Sequence, residues 1–214
     1  MWPASYPIHI VVKTTKMTAL TILMIILAYL GGSLSSAVLV SRLTGLPDPR
    51  DHGSHNPGAT NVLRTGNKNL ALATVLLDSG KGAIAVLLAR FLTDDPIILW
   101  GTGLAAIIGH NYPVWLAFKG GKGVATSIGT LLALNWMVGA SICLIWLVMA
   151  ILFRISSLAA LAAFFFLPAI VLFLVGLQAV PFAVVITLLL FWRHRGNIAR
   201  LWRGEEPVMS FGKK

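Results

Sequence analysis

The chain has 214 residues, of which 57% are hydrophobic and only 11% charged, with a formal net charge of +10. Soluble domains carry about 25% charged residues, so this balance excludes an ordinary soluble fold and identifies an integral membrane protein. A helical span takes about 20 mostly apolar residues, which leaves room for about six or seven spans and none for a separate soluble domain. In a soluble protein the positive charge would suggest nucleic acid. Here the basic residues lie between and after apolar runs, so anionic lipid headgroups and a phosphorylated substrate are the better partners. The single cysteine, Cys143, excludes a disulfide framework and a Cys-based metal site within one chain.

Residues 1–16 are short and mixed, with Lys13 and Lys16 just before the first apolar run and no clean small-residue cleavage pattern. They read as an N-terminal extension to a single membrane domain over 17–206, with a tail at 207–214. Seven apolar segments follow in order, at 17–40, 70–92, 96–116, 124–134, 136–153, 157–176 and 179–192. The expected fold class is therefore all-α, with seven transmembrane helices. The fourth segment is short for a span, which fits a half-helix or a tilted one. The count falls to six if the fourth and fifth, split only at Asn135-Trp136, form one helix.

Under the seven-span reading, one side holds Arg42, Arg50, Arg64, Lys68, Lys119, Lys122, Arg154, Arg193, Arg195, Arg200, Arg203, Lys213 and Lys214. The other holds Lys13, Lys16 and Arg90. Cytoplasmic loops carry the excess of Lys and Arg, so the N-terminus is expected outside and the C-terminus in the cytoplasm. Within the second segment, Asp78 and Lys81 stand three residues apart, and intramembrane charges are costly and usually paired. An interior structural pair is the first reading there, ahead of a substrate role for Lys81. The polar connections at 41–69, around Lys119 and after Arg193 all fall on the cytoplasmic side, whereas those near Asp94-Asp95, Asn135 and Gln178 are brief. Chemistry is expected at the cytoplasmic face. No internal repeat is visible, which counts against a transporter for an anionic solute, the main alternative.

Three constellations can carry chemistry. In Gly53-Ser54-His55-Asn56-Pro57-Gly58-Ala59-Thr60-Asn61-Val62-Leu63-Arg64, the side chains of Ser54, Asn56, Thr60 and Asn61 can donate to phosphate or hydroxyl oxygens, and Arg64 can bind phosphate bidentately. A capped surface turn built on Asn-Pro-Gly is the plainer reading. The second constellation runs from His110 through Lys119-Gly120-Gly121-Lys122-Gly123 to Thr126, between two apolar segments. Irregular backbone at that depth must face protein or water. The amides of Gly120, Gly121 and Gly123, the lysines and the start of the following helix suit a phosphate. A glycine-rich connection whose lysines meet headgroups is the alternative, and a lone His110 is more often structural than a base. The spacing does not match the nucleotide P-loop, so ATP hydrolysis is not supported. The third is Arg193-His194-Arg195-Gly196-Asn197, where a continuing helix places His194, Asn197 and Leu201 on one face. An ordinary basic stop-transfer tail competes with that reading, although it leaves His194 and Asn197 unexplained.

No histidine is followed five positions later by aspartate, and there is no aspartate-rich Mg²⁺ motif. Glu205-Glu206 is the one carboxylate pair near the polar loops. Metal-assisted and two-carboxylate chemistry are therefore not expected, and neither a metal nor a cofactor is invoked.

Taken together, the three blocks resemble the bacterial glycerol-3-phosphate acyltransferase family PlsY. The residues that carry the resemblance are 53–61 with Arg64, 110–114 leading to 118–126, and His194-Arg195-Gly196-Asn197-Ile198 with Arg200-Leu201 and Gly204-Glu205-Glu206. Gly31-Gly32-Ser33 is similar to the family's opening Gly-Ser. The resemblance implies a seven-helix bacterial inner-membrane enzyme with its active site towards the cytoplasm. It implies transfer of a fatty acyl group from acyl phosphate to the 1-hydroxyl of sn-glycerol 3-phosphate, giving lysophosphatidic acid, the first step of phospholipid synthesis. It also implies functional coupling to the soluble phosphate acyltransferase PlsX, which makes the acyl phosphate. On this reading Ser54, Arg64, His194 and Asn197 are the catalytic candidates. Asn56, Thr60, Asn61, His110, Lys119, Gly120, Gly121, Lys122, Gly123, Thr126 and Arg195 are the substrate-binding ones. Small residues such as Ala159, Ala160, Ala162 and Ala163 are expected to let helices pack closely.

Overall fold

Polar cap residues cut the apolar sequence into helices. In the computed structural model, which describes residues 19–64 and 67–209, the helices are α1 Ala19–Gly32, α2 Ser36–Leu43, α3 Ala59–Arg64, α4 Lys68–Arg90, α5 Pro96–Asn111, α6 Val124–Leu134, α7 Trp136–Phe153, α8 Ser156–Phe165, α9 Leu167–Leu174, α10 Val180–Arg193 and α11 Arg195–Trp202. Asn67 caps α4 by accepting from the Leu70 amide, and Asp95 caps α5 at the Ile97 amide beside Pro96. Asn135 ends α6 and caps α7, its side chain accepting from Met137 and Val138. The fourth and fifth segments are therefore separate helices.

Two of the expected segments are broken, and so is the helix expected to continue past the last segment. Between α1 and α2 the chain bends by 48°, where the Ser33 hydroxyl donates back to the Tyr29 carbonyl at 2.8 Å. Between α8 and α9 it bends by 40°, just before Pro168, which has no amide hydrogen to continue the ladder. Between α10 and α11 it bends by 60° at His194, so the single helix expected through Leu201 does not form. By length and composition, α4 and α7 are each long and apolar enough to cross a membrane, and each bent pair qualifies as one further span. α6, with 11 residues, is about 16 Å long.

The interior is apolar and tightly packed. Phe164, Leu131, Ile142, Leu167 and Ile186 are fully buried where α6 to α10 meet. Ala159, Ala160 and Ala163 are buried on α8, as close helix packing requires. Many large apolar side chains point outward instead, among them Leu76, Leu88, Leu144, Leu188 and Phe173. Monomeric soluble proteins rarely expose so much contiguous apolar surface, and in a multi-pass membrane protein lipid covers it.

Close helix contacts use glycine. A Cβ on Gly109 would stand 2.2 Å from the Tyr29 carbonyl oxygen, and one on Gly32 would stand 2.2 Å from that of Ala106. Backbone cannot yield there, so Gly109→Ala is expected to destabilise the fold by about 2 kcal/mol or more, read as a lower thermal midpoint in detergent. The carboxy-terminal segment is part of the fold further than expected. The Met209 amide donates to the Arg154 carbonyl at 2.7 Å and the Met209 side chain is buried. Residues 207–209 thus extend the domain beyond the boundary expected at 206. The N-terminal extension expected at 1–16 lies outside the described residues.

Candidate active site

The loop between α2 and α3 is tied up by its own side chains. Asn61, the third residue of α3, accepts from the Ser54 amide at 3.0 Å and donates to the carbonyls of Pro49 and His52. Its amide group is used inside the loop, so Asn61 shapes the loop, and it is not among the residues that line the cleft described below, where substrate binding was expected of it. His55 adopts a left-handed backbone, φ 54°, with Nδ1 2.8 Å from the Arg50 carbonyl oxygen. This folding presents Ser54, His55 and Asn56 to a cleft. Thr60 faces the other way, its hydroxyl 3.1 Å from that of Ser156 at the start of α8.

The glycine loop is pressed against the end of α5. The Gly121 amide donates to the His110 carbonyl at 3.1 Å, so it is already committed and not available to a phosphate. A Cβ on Gly121 would stand 2.0 Å from Nε2 of His110, which makes glycine obligatory there. Gly123, at φ 85°, turns the chain into α6. From the other side Arg193 donates to the carbonyls of Gly120, at 2.6 Å, and Gly121, at 3.0 Å, while its guanidinium stacks on Tyr112. His110 is buried beneath this loop and does not line the cleft. Thr126 is fully buried against Gly82 of α4 and does not reach the cleft either.

The third block arrives at the bend between α10 and α11. His194 is 2% exposed and its Nδ1 donates to the Leu190 carbonyl at 2.9 Å, leaving Nε2 as the acceptor. Burial, reinforced by the charge of Lys122, pushes its pKa down to about 4. Asn197 donates to Glu206 Oε1 at 2.5 Å. The same carboxylate accepts from Ser157 at 2.8 Å and from Arg200 at 2.7 Å. Burial works to raise the Glu206 pKa, but the donations from Asn197, Ser157 and Arg200 win and hold it below the usual range.

The three blocks meet at one cleft of about 400 Å³, within the range of small-molecule sites. Seven of the expected residues line it: Ser54, Asn56, Lys119, Gly120, Lys122, Arg195 and Asn197. Arg64 is exposed nearby, its Cδ 3.8 Å from where a Cβ on Gly53 would stand. Gly121, Gly123, Asn61, His110 and Thr126 lie behind the lining, and His194 is buried between Arg193 and Arg195, which line the cleft. Arg193 and Arg200 line the cleft as well, and with Glu206 they are the functional residues that reading the sequence missed. Arg193 had no distinguishing signal. Arg200 and Glu206 stood in the block that carried the resemblance. The lining thus holds Lys119, Lys122, Arg193, Arg195 and Arg200 with no carboxylate among its residues. Burial brings the Lys122 pKa down to about 8; Glu206 opposes this, and Arg200, Arg64 and Arg193 add to it. Such a site binds anions and holds polar hydroxyl compounds beside them.

The family model described as glycerol-3-phosphate acyltransferase matches residues 22–204. A glycerol-3-phosphate acyltransferase of Paramagnetospirillum magneticum is 54% identical over 186 residues, covering 87% of this chain and 92% of its own. One of Rhodospirillum rubrum is 51% identical over 209 residues, covering 94% and 97%. Among solved structures, the glycerol 3-phosphate form of PlsY (YgiH), an integral membrane glycerol 3-phosphate acyltransferase, superposes with a TM-score of 0.83 at 37% identity, covering 89% of this chain and 96% of that one. Its lysophosphatidic acid form gives 0.82 at 36%, covering 89% and 95%. The chain belongs to the PlsY family of integral-membrane glycerol-3-phosphate acyltransferases.

Proposed function

We propose that this acyltransferase moves a fatty acyl group from acyl phosphate to the 1-hydroxyl of sn-glycerol 3-phosphate, releasing lysophosphatidic acid and inorganic phosphate. The carrying observation is the concentration of five cationic side chains in one cleft without a carboxylate among its lining residues. Two phosphorylated reactants repel each other, and Lys119, Lys122, Arg193, Arg195 and Arg200 offset that repulsion. The donor carbonyl of a mixed anhydride is already activated and phosphate leaves readily, so no metal or cofactor is needed. Holding hydroxyl and carbonyl in contact supplies much of the rate, since effective molarities reach ~10⁵ M or more. Ser54, Asn56 and Asn197 orient the polyol and the developing oxyanion.

The attacking hydroxyl must lose a proton. His194, with its pKa near 4, is a poor base at neutral pH, whereas a phosphate ester with a second pKa of about 6 is better matched. A substrate phosphate oxygen therefore takes the proton, and His194 is a fixed acceptor that orients substrate. His194→Gln is expected to lower kcat by less than about tenfold and to leave the pH profile unchanged, where loss of a general base costs about 10² to 10⁴.

Lys122 gives the pH dependence a sign. Raising pH through about 8 removes its proton and weakens binding of a dianion. The KM for glycerol 3-phosphate is expected to climb above that pH, and Lys122→Arg, always charged, to flatten the rise.

The same reading sets the protein in the bacterial inner membrane as seven spans, N-terminus outside and cleft facing the cytoplasm, supplied with donor by PlsX. Acyl-chain burial in the membrane contributes about 0.8 kcal/mol per CH₂. The test is an assay of purified protein with glycerol 3-phosphate and either palmitoyl phosphate or palmitoyl-CoA. Product from the phosphate alone is expected; product from CoA alone overturns the donor assignment.

A further inference from the structure

Lys81 stands within α4, three residues after Asp78, and its ammonium has three partners. Nζ donates to the Leu34 carbonyl at 2.7 Å, in the break between α1 and α2, and pairs with the Asp78 carboxylate at 2.9 Å. It also lies 2.9 Å from Nδ1 of His110. Asp78 in turn accepts from the Ser36 hydroxyl at 2.7 Å. Asp78, Ser36 and His110 are buried, and none of the four lines the cleft.

An ammonium has three donors and no lone pair, so Nδ1 of His110 accepts. The 3.5 Å from Nδ1 to Asp78 is too long for a hydrogen bond. The imidazole is thus neutral with its proton on Nε2, and Nε2 lies directly against Gly121. We propose that Lys81 and Asp78 are positioning residues for acyl transfer: with Ser36 they lock the His110 ring, and that ring sets the height of the Gly120–Gly121 turn. Arg193 holds the same turn from the opposite side. A buried ion pair serving only helix packing is commonly replaceable by neutral residues without loss of stability. Lys81→Met leaves no donor for Nδ1, so it removes the hydrogen bond that fixes the tautomer and plane of the His110 ring. The proposal rests on the reading of the cleft as the phosphate site, with Lys119, Gly120 and Lys122 of this turn forming one edge of it.

The test uses the full chain in phospholipid nanodiscs, comparing wild type with the charge-neutral double variant Asp78→Asn/Lys81→Met. The KM for glycerol 3-phosphate is expected to rise by at least about tenfold, since small misplacements of a site cost up to ~10²-fold. kcat, the donor KM and the thermal midpoint should change little. Nitrogen-15 histidine NMR of the wild type should show His110 as the Nε2–H tautomer, a readout that needs no variant to fold. An unchanged KM in a folded double variant, a parallel loss for both substrates that tracks lost stability, or an Nδ1–H tautomer overturns the proposal. Lys122→Met is the control for the phosphate site itself: if it leaves the glycerol 3-phosphate KM unchanged, the reading of the cleft fails independently of Lys81.

Discussion

Replacing Glu206 by alanine is expected to lower both thermal stability and kcat/KM, the latter by about 10² or more. The Glu206 side chain is 4% exposed and accepts from Ser157, Asn197 and Arg200. Removing the carboxylate leaves the buried Asn197 and Ser157 without their acceptor, at about 1–3 kcal/mol each, and releases Arg200, whose side chain is 36% exposed, from its ion pair. Of these groups Asn197 and Arg200 line the cleft, so their loss of position reaches the reaction directly. Glu206→Gln keeps an acceptor for Asn197 and Ser157 and loses only the charge opposite Arg200. Its effect should be near tenfold, about 1.4 kcal/mol. Thermal unfolding and steady-state kinetics on both variants check the order; a milder Glu206→Ala than Glu206→Gln contradicts it.

The second large effect is expected at Lys122 and should be absent at Lys119. Both lysines line the cleft, yet Lys119 is exposed and Lys122 is largely enclosed. A charge in water is screened and contributes little, whereas one removed from water is strongly coupled to a bound anion. Lys122→Met is expected to cut kcat/KM for glycerol 3-phosphate by about 10²–10³, as removal of a fixed charge-stabilising donor does. Lys119→Met should cost less than about fivefold, within the range of an exposed ion pair. Measuring both at low and high salt sharpens the contrast, because only the Lys119 effect should fade as salt rises.

Hydropathy located the apolar helices but not the short α3 inside the polar loop, because lipid demands long apolar runs and those are visible one residue at a time. It could not show the bends. The turn at 33–35 depends on a serine bonding back to Tyr29, and the one at His194 on where α10 exhausts its ladder. The three polar blocks were legible as blocks, and they meet at one cleft. Which residues in them face substrate was not legible. Asn61 and Asn56 are the same residue type in the same turn, yet one is spent on Pro49 and His52 and the other reaches the cleft. His194 and Asn197 have helical spacing, yet only Asn197 lines the cleft, while His194 is buried and turned back onto the Leu190 carbonyl. Arg193 looks like any basic residue after a span; its bonds to Gly120 and Gly121 cross more than seventy residues. Such pairings are set by tertiary packing and leave no mark in a single sequence.

The central claim is that one cationic basin brings both phosphorylated reactants into direct contact. An initial-rate matrix, varying glycerol 3-phosphate against palmitoyl phosphate, tests it most directly. Intersecting reciprocal plots, the signature of a ternary complex, are predicted. Parallel plots, with a covalent acyl group trapped on Ser54 or another cleft residue, would contradict it.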